Sequence, residues 1–226
     1  MAQPNSAPSS APVSVIGSQF IAQDQFDIIV DRYANGNLLV TDINHKILLK
    51  VKPCTTHFNS QLVVLDADDK PIVTIREQSL TAHSGMNVFR GDSKNKSDLI
   101  FHTKKHHLIQ MKTNVDVFLG NKDSGKHVND FNIKGNWSKK DCTINRGDTS
   151  ATIAQMYKMQ STDTKKFVND KFMTTIYPTV DYVFVVTLIA IVEAMEMEST
   201  SNEKEYRTAT GKVVNAIGNV SSALSS

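Results

Sequence analysis

From Phe26 to Tyr177 the chain alternates apolar and polar residues in short runs, and turn-forming residues interrupt them. FDIIVDR, NLLVTD and KILLKVK come first, broken at Asn35-Gly36-Asn37 and at Asn44-His45. LVVL and IVTIRE flank Asp66–Pro71, which reads as a hairpin with a multi-residue loop. MNVFRG, DLIFHTKK, HLIQMKT and VDVFLG follow; FNIKGNW, DCTINRG, ATIAQMYKM and KFMTTIY complete the series. Alternation with period two predicts strands with one apolar face. A dozen or so such strands at close spacing predict a barrel or a sandwich and not βαβ units. Within DLIFHTKKHHLI, Lys104-Lys105 reads as the turn between two strands.

Then the pattern changes. Tyr182 to Val192 reads YVFVVTLIAIV, apolar on every face and bounded by Asp181 and Glu193. As a helix this run spans roughly 16 Å, against about 30 Å for a bilayer core, so it suits a protein interior better than a membrane. Its β-branched content also suits a buried strand, and periodicity alone does not separate the two. Pro178 and Thr179 offer a first-turn proline and a cap, and Asp181 suits the positive end of a helix dipole. A helix over about 179–194 is the reading.

The flanks differ. Residues 1–19 are rich in Pro, Ser and Ala and read as a disordered tail without the charged start and apolar core of a signal peptide. Residues 196–226 hold a run of glutamates and then small polar residues, a flexible tail. No Pro/Gly/Ser linker divides residues 26–195, and residues 20–195 are expected to form a single domain. The expectation is an intracellular protein, cytoplasmic or peripheral on a membrane, with the nucleus left open.

Charge adds a pattern that the total conceals. With 25 Lys+Arg and 23 Asp+Glu the chain is nearly neutral, unlike a strongly basic nucleic-acid binder. Residues 1–89 carry a net −2, residues 90–146 a net +6, and residues 147–226 a net −2. If the turns of the middle segment gather at one end of a barrel, their lysines make a patch for anionic head groups. Lys104, Lys105, Lys139 and Lys140 are the candidate lipid-binding residues; ordinary solvated loops are the other reading.

Other motifs carry less chemistry. Gly120–His127 nearly spells a phosphate-binding loop, but a strand-like HVNDFNIKG follows where a helix is required. Asp66, Asp68 and Lys70 open like a calcium loop that lacks its glycine. Arg90-Gly91-Asp92 and Arg146-Gly147-Asp148 read as tight turns. Cys54 and Cys142 make no disulfide framework, and His102, His106 and His107 have no partners at metal-ligand spacing. No acid–base pair or nucleophile stands out, so the expectation is a non-enzyme without a cofactor.

VDVFLG, FNIKGNW, IAQMYKM and above all IYPTVDYVFVVTLIAIVEAM resemble the plant LURP-one-related family. DRYANGNLLVTDINHKILLKVK, LVVLDADDKPIVTIREQ and MNVFRGD extend the resemblance over roughly residues 20–195. The family is similar in fold to the tubby C-terminal domain and to phospholipid scramblases. The resemblance implies a mainly β protein, an antiparallel barrel of about twelve strands enclosing one apolar C-terminal helix. For function it implies a module that binds anionic phospholipid, such as phosphoinositide, or tethers to membranes, with a link to plant defence. The alternatives are a soluble defence factor that binds an unknown protein partner and, further off, a scramblase with the apolar run in the bilayer. No calcium loop of the scramblase type is present in the sequence, which argues against the last.

Overall fold

The computed structural model describes residues 11–56, 59–78, 85–106, 112–120, 128–147, 149, 151–159 and 168–197. The chain forms two compact units, Met1–Ala190 and Ile191–Ser226. The first is a closed barrel of twelve antiparallel strands. They are β1 (Phe26–Tyr33), β2 (Leu38–Asp42), β3 (Ile47–Thr56), β4 (Asn59–Asp66), β5 (Pro71–Glu77), β6 (Met86–Arg90), β7 (Leu99–Lys105), β8 (Thr113–Leu119), β9 (Phe131–Asn136), β10 (Asp141–Arg146), β11 (Thr152–Lys158) and β12 (Val168–Ile176). Each strand pairs with the next, and β12 closes on β1 over Phe26↔Ile176 to Tyr33↔Val168. Closure leaves no unpaired edge to recruit another chain.

Alternation sets which residues turn inward. Ile28 and Val30, Leu49 and Val51, Val73 and Ile75, Val115 and Val117, and Phe131 and Ile133 are all buried. Their even spacing places them on the inner face of the sheet. Inside the first unit runs the helix α1, residues 182–190. Every residue from Val183 to Ala190 is at most 1 % exposed. Phe184 packs edge-on against Phe101 of β7 and Phe131 of β9, with ring centroids 5.3 and 4.9 Å away. A helix ringed by sheet has no solvent face, which explains the absence of a polar stripe in the sequence. In the second unit the described residues, 191–197, are helical throughout.

The start of α1 corrects two expectations. Thr179 has a φ of 64°, a left-handed conformation outside any helix, so neither it nor Pro178 begins the helix. The cap is Asp181, fully buried, whose Oδ1 accepts the N–H of Phe184 at 3.0 Å. Its Oδ2 accepts the N–H groups of Val15, Ile16 and Gly17 at 3.3, 2.7 and 3.0 Å. Residues 11–19 are therefore no loose tail. Val13 and Ile16 are buried, Val13 bridges Val180, and Ala22 donates to the Val180 carbonyl at 2.9 Å. The rest of the expected tail, residues 1–10, lies outside the described residues, as do residues 198–226. The ring of Tyr182 meets Phe20 and Phe26 edge-on, and burial, reinforced by the Asp181 charge, pushes its phenol above the ordinary value.

Arg90-Gly91-Asp92 forms a turn at this helix-entry end, and Arg146 and Gly147 lie at the same end, while Asp148 is outside the described residues. Gly91 and Gly147 hold φ of 58° and 54°; a Cβ at Gly91 would meet nothing, so backbone conformation and not crowding calls for glycine. The arginines hold the N-terminal strap: Arg90 Nη1 donates to the Ile16 carbonyl at 3.1 Å and Arg146 Nη2 to that of Ala11 at 3.0 Å. The Asp66–Pro71 turn is also confirmed. Asp66 Oδ1 accepts the N–H groups of Asp68 and Lys70, each at 2.9 Å. Lys104-Lys105 is corrected: both residues end β7, because the ladder to β8 continues through Lys105↔Val115.

Three outcomes follow from this packing. Asp181→Ala leaves four backbone N–H groups without their acceptor and should cost about 4 kcal/mol in chemical denaturation. Ile189→Asp buries an unpaired charge and should yield no cooperatively folded protein by circular dichroism. Hydrogen bonds from Lys50 and then Lys52 lower the Asp69 carboxyl from 3.8 to about 2. Its contribution to stability is thus complete above the unfolded value and lost as pH falls through about 2. A carbon-13 titration should find the Asp69 midpoint near about 2 and, in Lys50→Gln/Lys52→Gln, near the ordinary 3.8.

A candidate anion-binding surface

In an antiparallel barrel consecutive connections alternate between the two ends, and this divides the basic segment 90–146. Lys94 and Lys96, between β6 and β7, are exposed at the helix-entry end. Lys104, Lys105, Lys112, Lys139 and Lys140 come at the other end, with Lys134 in the second half of β9. Lys122 and Lys126 lie outside the described residues. The segment therefore makes no single patch, but its far-end part draws on three neighbouring strands, β7, β8 and β9.

The four lysines expected from the sequence are not equivalent there. Lys104 and Lys105 are consecutive in a strand and so take opposite faces. Lys104 is opposite Asp116 on the outer face, while Lys105 has the parity of the buried Val115, at the barrel mouth. Lys139 is exposed on the 3-10 turn Trp137–Lys139, where Asn136 Oδ1 accepts its N–H at 3.1 Å.

Lys140 leaves the set altogether. It closes that turn with a φ of 54° and is 3 % exposed. Its ammonium is 4.8 Å from the ring centre of Trp137 and 4.7 Å from that of Phe172, with an Asp170 carboxylate oxygen at 3.4 Å. The aromatic faces and the carboxylate stabilise the charge where no head group reaches.

Two lysines that the sequence reading did not single out complete the surface. Lys134 is exposed and opposes Asn114; Lys112 is exposed and immediately precedes the register pair Thr113↔Gly135. The signal for Lys134 was available, since the buried Phe131 and Ile133 leave it on the opposite face. For Lys112 it was not, because HLIQMKT reads as a strand of its own; residues 107–111 lie outside the described residues.

Among the described residues, Lys104, Lys112, Lys134 and Lys139 form no ion pair within 4.0 Å. The nearby carboxylate of Asp116 is already engaged. His106 Nε2 lies 2.6 Å from its Oδ2, and Asn129 Nδ2 donates to its Oδ1 at 2.7 Å. Asp141, opposite Asn136, is exposed. Beside this surface β9–β11 carry a neutral network in which Asn145 Nδ2 donates to Asn132 Oδ1 at 3.2 Å and Thr152 Oγ1 to Asn145 Oδ1 at 2.9 Å. Lys104 and Lys134 on the outer face of the sheet, with Lys112 and Lys139 just beyond its strands, can attract several anionic groups at once. No group of three or more His, Cys, Asp or Glu side chains comes together among the described residues to hold a metal.

Known proteins are similar to this chain. Protein LURP-one-related 15 of Arabidopsis thaliana is 33% identical over 202 residues, covering 85% of this chain and 93% of its own. Protein LURP-one-related 10 of the same plant is 36% identical over 169 residues, 74% of this chain and 87% of its own. The crystal structure of an Arabidopsis thaliana protein, 33% identical, superposes with a TM-score of 0.64 over 80% of this chain and 98% of that one. The pattern of the LURP-one-related family matches residues 29–193, and the chain belongs to that family.

Proposed function

We propose that this barrel is a non-enzymatic module that docks reversibly on anionic phospholipid surfaces through Lys104, Lys112, Lys134 and Lys139. The observation that carries the reading is that these lysines, from three neighbouring strands and their turns, face outward without ion-pair partners among the described residues. Each basic residue near an anionic bilayer contributes about 1 kcal/mol. The four together therefore suffice for reversible attachment. The link to plant defence that the family resemblance implies is compatible with a recruited, membrane-tethered factor.

The place of α1 argues against scrambling through that segment. Val183–Ala190 are buried within the barrel unit, and moving them into lipid requires opening a closed sheet. Each backbone group exposed by such opening lacks a partner in hydrocarbon.

The test is co-sedimentation with phosphatidylcholine vesicles, alone or with phosphatidylserine or a phosphoinositide, at low and physiological salt. The full chain should sediment only with anionic vesicles, and less at higher salt. Lys104→Glu/Lys112→Glu/Lys134→Glu/Lys139→Glu should lower association by at least about 4 kcal/mol, a factor on the order of 10³. Lys140 stays unchanged, because its replacement would disturb folding. Failure of the folded wild-type chain to sediment with any anionic vesicle would overturn the reading in favour of a protein partner.

A further inference from the structure

A second basic site lies on β1–β3, half the strand order away from β7–β9. There an open depression of about 230 Å³ is walled by Tyr33 and Leu39, rimmed by Asn35 and Asn37, and bounded by Lys50 and Lys52. The β1–β2 turn fixes the rim: Asn35 Oδ1 accepts the N–H of Asn37 at 3.1 Å, and the Tyr33 N–H donates to the Asn37 carbonyl at 3.0 Å. A cavity of about 150 Å³ with apolar walls suffices for a benzene ring. The space here admits a ring with one substituent.

The lysines supply the other half of the recognition. Lys50 Nζ and Lys52 Nζ each lie 2.8 Å from a different oxygen of Asp69, so they are spaced to share one carboxylate. Asp69 does not line the depression, whereas Lys50 and Lys52 do. An ammonium has three donors. Lys50 directs one to Asp69 and one to the Ala67 carbonyl at 3.0 Å, and Lys52 directs one to Asp69. Two positive charges on one carboxylate leave an excess of positive charge on the lysines that line the depression. A second carboxylate neutralises it, and an apolar body attached to that carboxylate fills the hollow.

We propose that this depression binds a small carboxylic acid with an apolar, ring-sized body, whose carboxylate takes the remaining donors of Lys50 and Lys52. The body lies against Tyr33 and Leu39, and the Asn35 and Asn37 amides orient it. Asp69 competes for the same ammonium groups and sets the affinity. The site is independent of the lipid-docking surface in residues and in place.

The experiment titrates the nitrogen-15-labelled full chain with sodium benzoate and follows the backbone and Asn side-chain amide signals. Two comparison probes separate the parts of the recognition: acetate has the charge without the ring, and benzamide the ring without the charge. Benzoate should shift the signals of Tyr33, Asn37, Leu39 and Lys52 in a saturable manner in the millimolar range. Acetate and benzamide should bind at least about fivefold more weakly, as expected for loss of one exposed charge contact or of the apolar body. Lys50→Gln/Lys52→Gln, folded by its amide spectrum, should lose the response. Asp69→Asn should strengthen it by about fivefold, since the competing carboxylate is gone. Benzamide matching benzoate, shifts centred elsewhere, or unchanged or weaker binding in Asp69→Asn would each overturn the proposal, as would no response to benzoate up to tens of millimolar.

Discussion

The carboxylate of Asp181 is the junction on which the barrel's order depends. A closed sheet leaves its polar backbone satisfied along the walls but open at its ends, and at one end a helix enters with its first N–H groups unpaired. Asp181 meets both needs in one side chain. One oxygen caps α1 at Phe184, and the other gathers three consecutive N–H groups of the N-terminal strap. A buried negative charge is tolerable here because four donors and the positive end of the helix dipole surround it. The strap, tied in turn by Arg90 and Arg146, covers the helix-entry end and keeps Val13 and Ile16 from solvent. The apolar helix can therefore remain inside without a polar face.

Antiparallel order governs the charges as firmly as it governs the core. Because connections alternate between ends, sequence neighbours become spatial strangers, and Lys94 and Lys139 from one basic segment lie at opposite ends. Because side chains alternate between faces, Lys104 and Lys105 part company within one strand. Proximity along the chain is thus a poor guide to a patch in this architecture, while parity within a strand is a good one.

Lysines serve three different roles on this barrel, and surroundings decide which. Lys140 is enclosed by Trp137, Phe172 and Asp170 and holds the turn between β9 and β10. Lys50 and Lys52 clasp Asp69 and the β4–β5 turn while leaving donors unused. Lys104, Lys112, Lys134 and Lys139 face outward, on a stretch of sheet whose nearby Asp116 is occupied by His106 and Asn129. Only the last two kinds of environment leave an ammonium group able to attract an outside anion.

Much of the fold was legible because its causes are local. Period-two alternation in FDIIVDR or FNIKGNW reports one inward face, Asn35-Gly36 and Asp66–Pro71 report turns, and an eleven-residue run without a polar face reports enclosure on all sides. The β-barrel with its central helix follows from those signals together with the family resemblance. The helix start, the strap and the surface were less legible, because their causes are not local. Asp181 becomes a cap and a strap anchor only when residues more than 160 positions earlier reach it. Lys140 looked like Lys139 until a left-handed turn brought its ammonium against the ring of Trp137 on that turn and the ring of Phe172 on β12. The sequence by itself determined strands, turns and the buried helix, since each depends on the backbone preferences and burial of adjoining residues. Tertiary structure alone decided which charges meet, since electrostatic neighbours are set by strand register and barrel closure and not by distance along the chain.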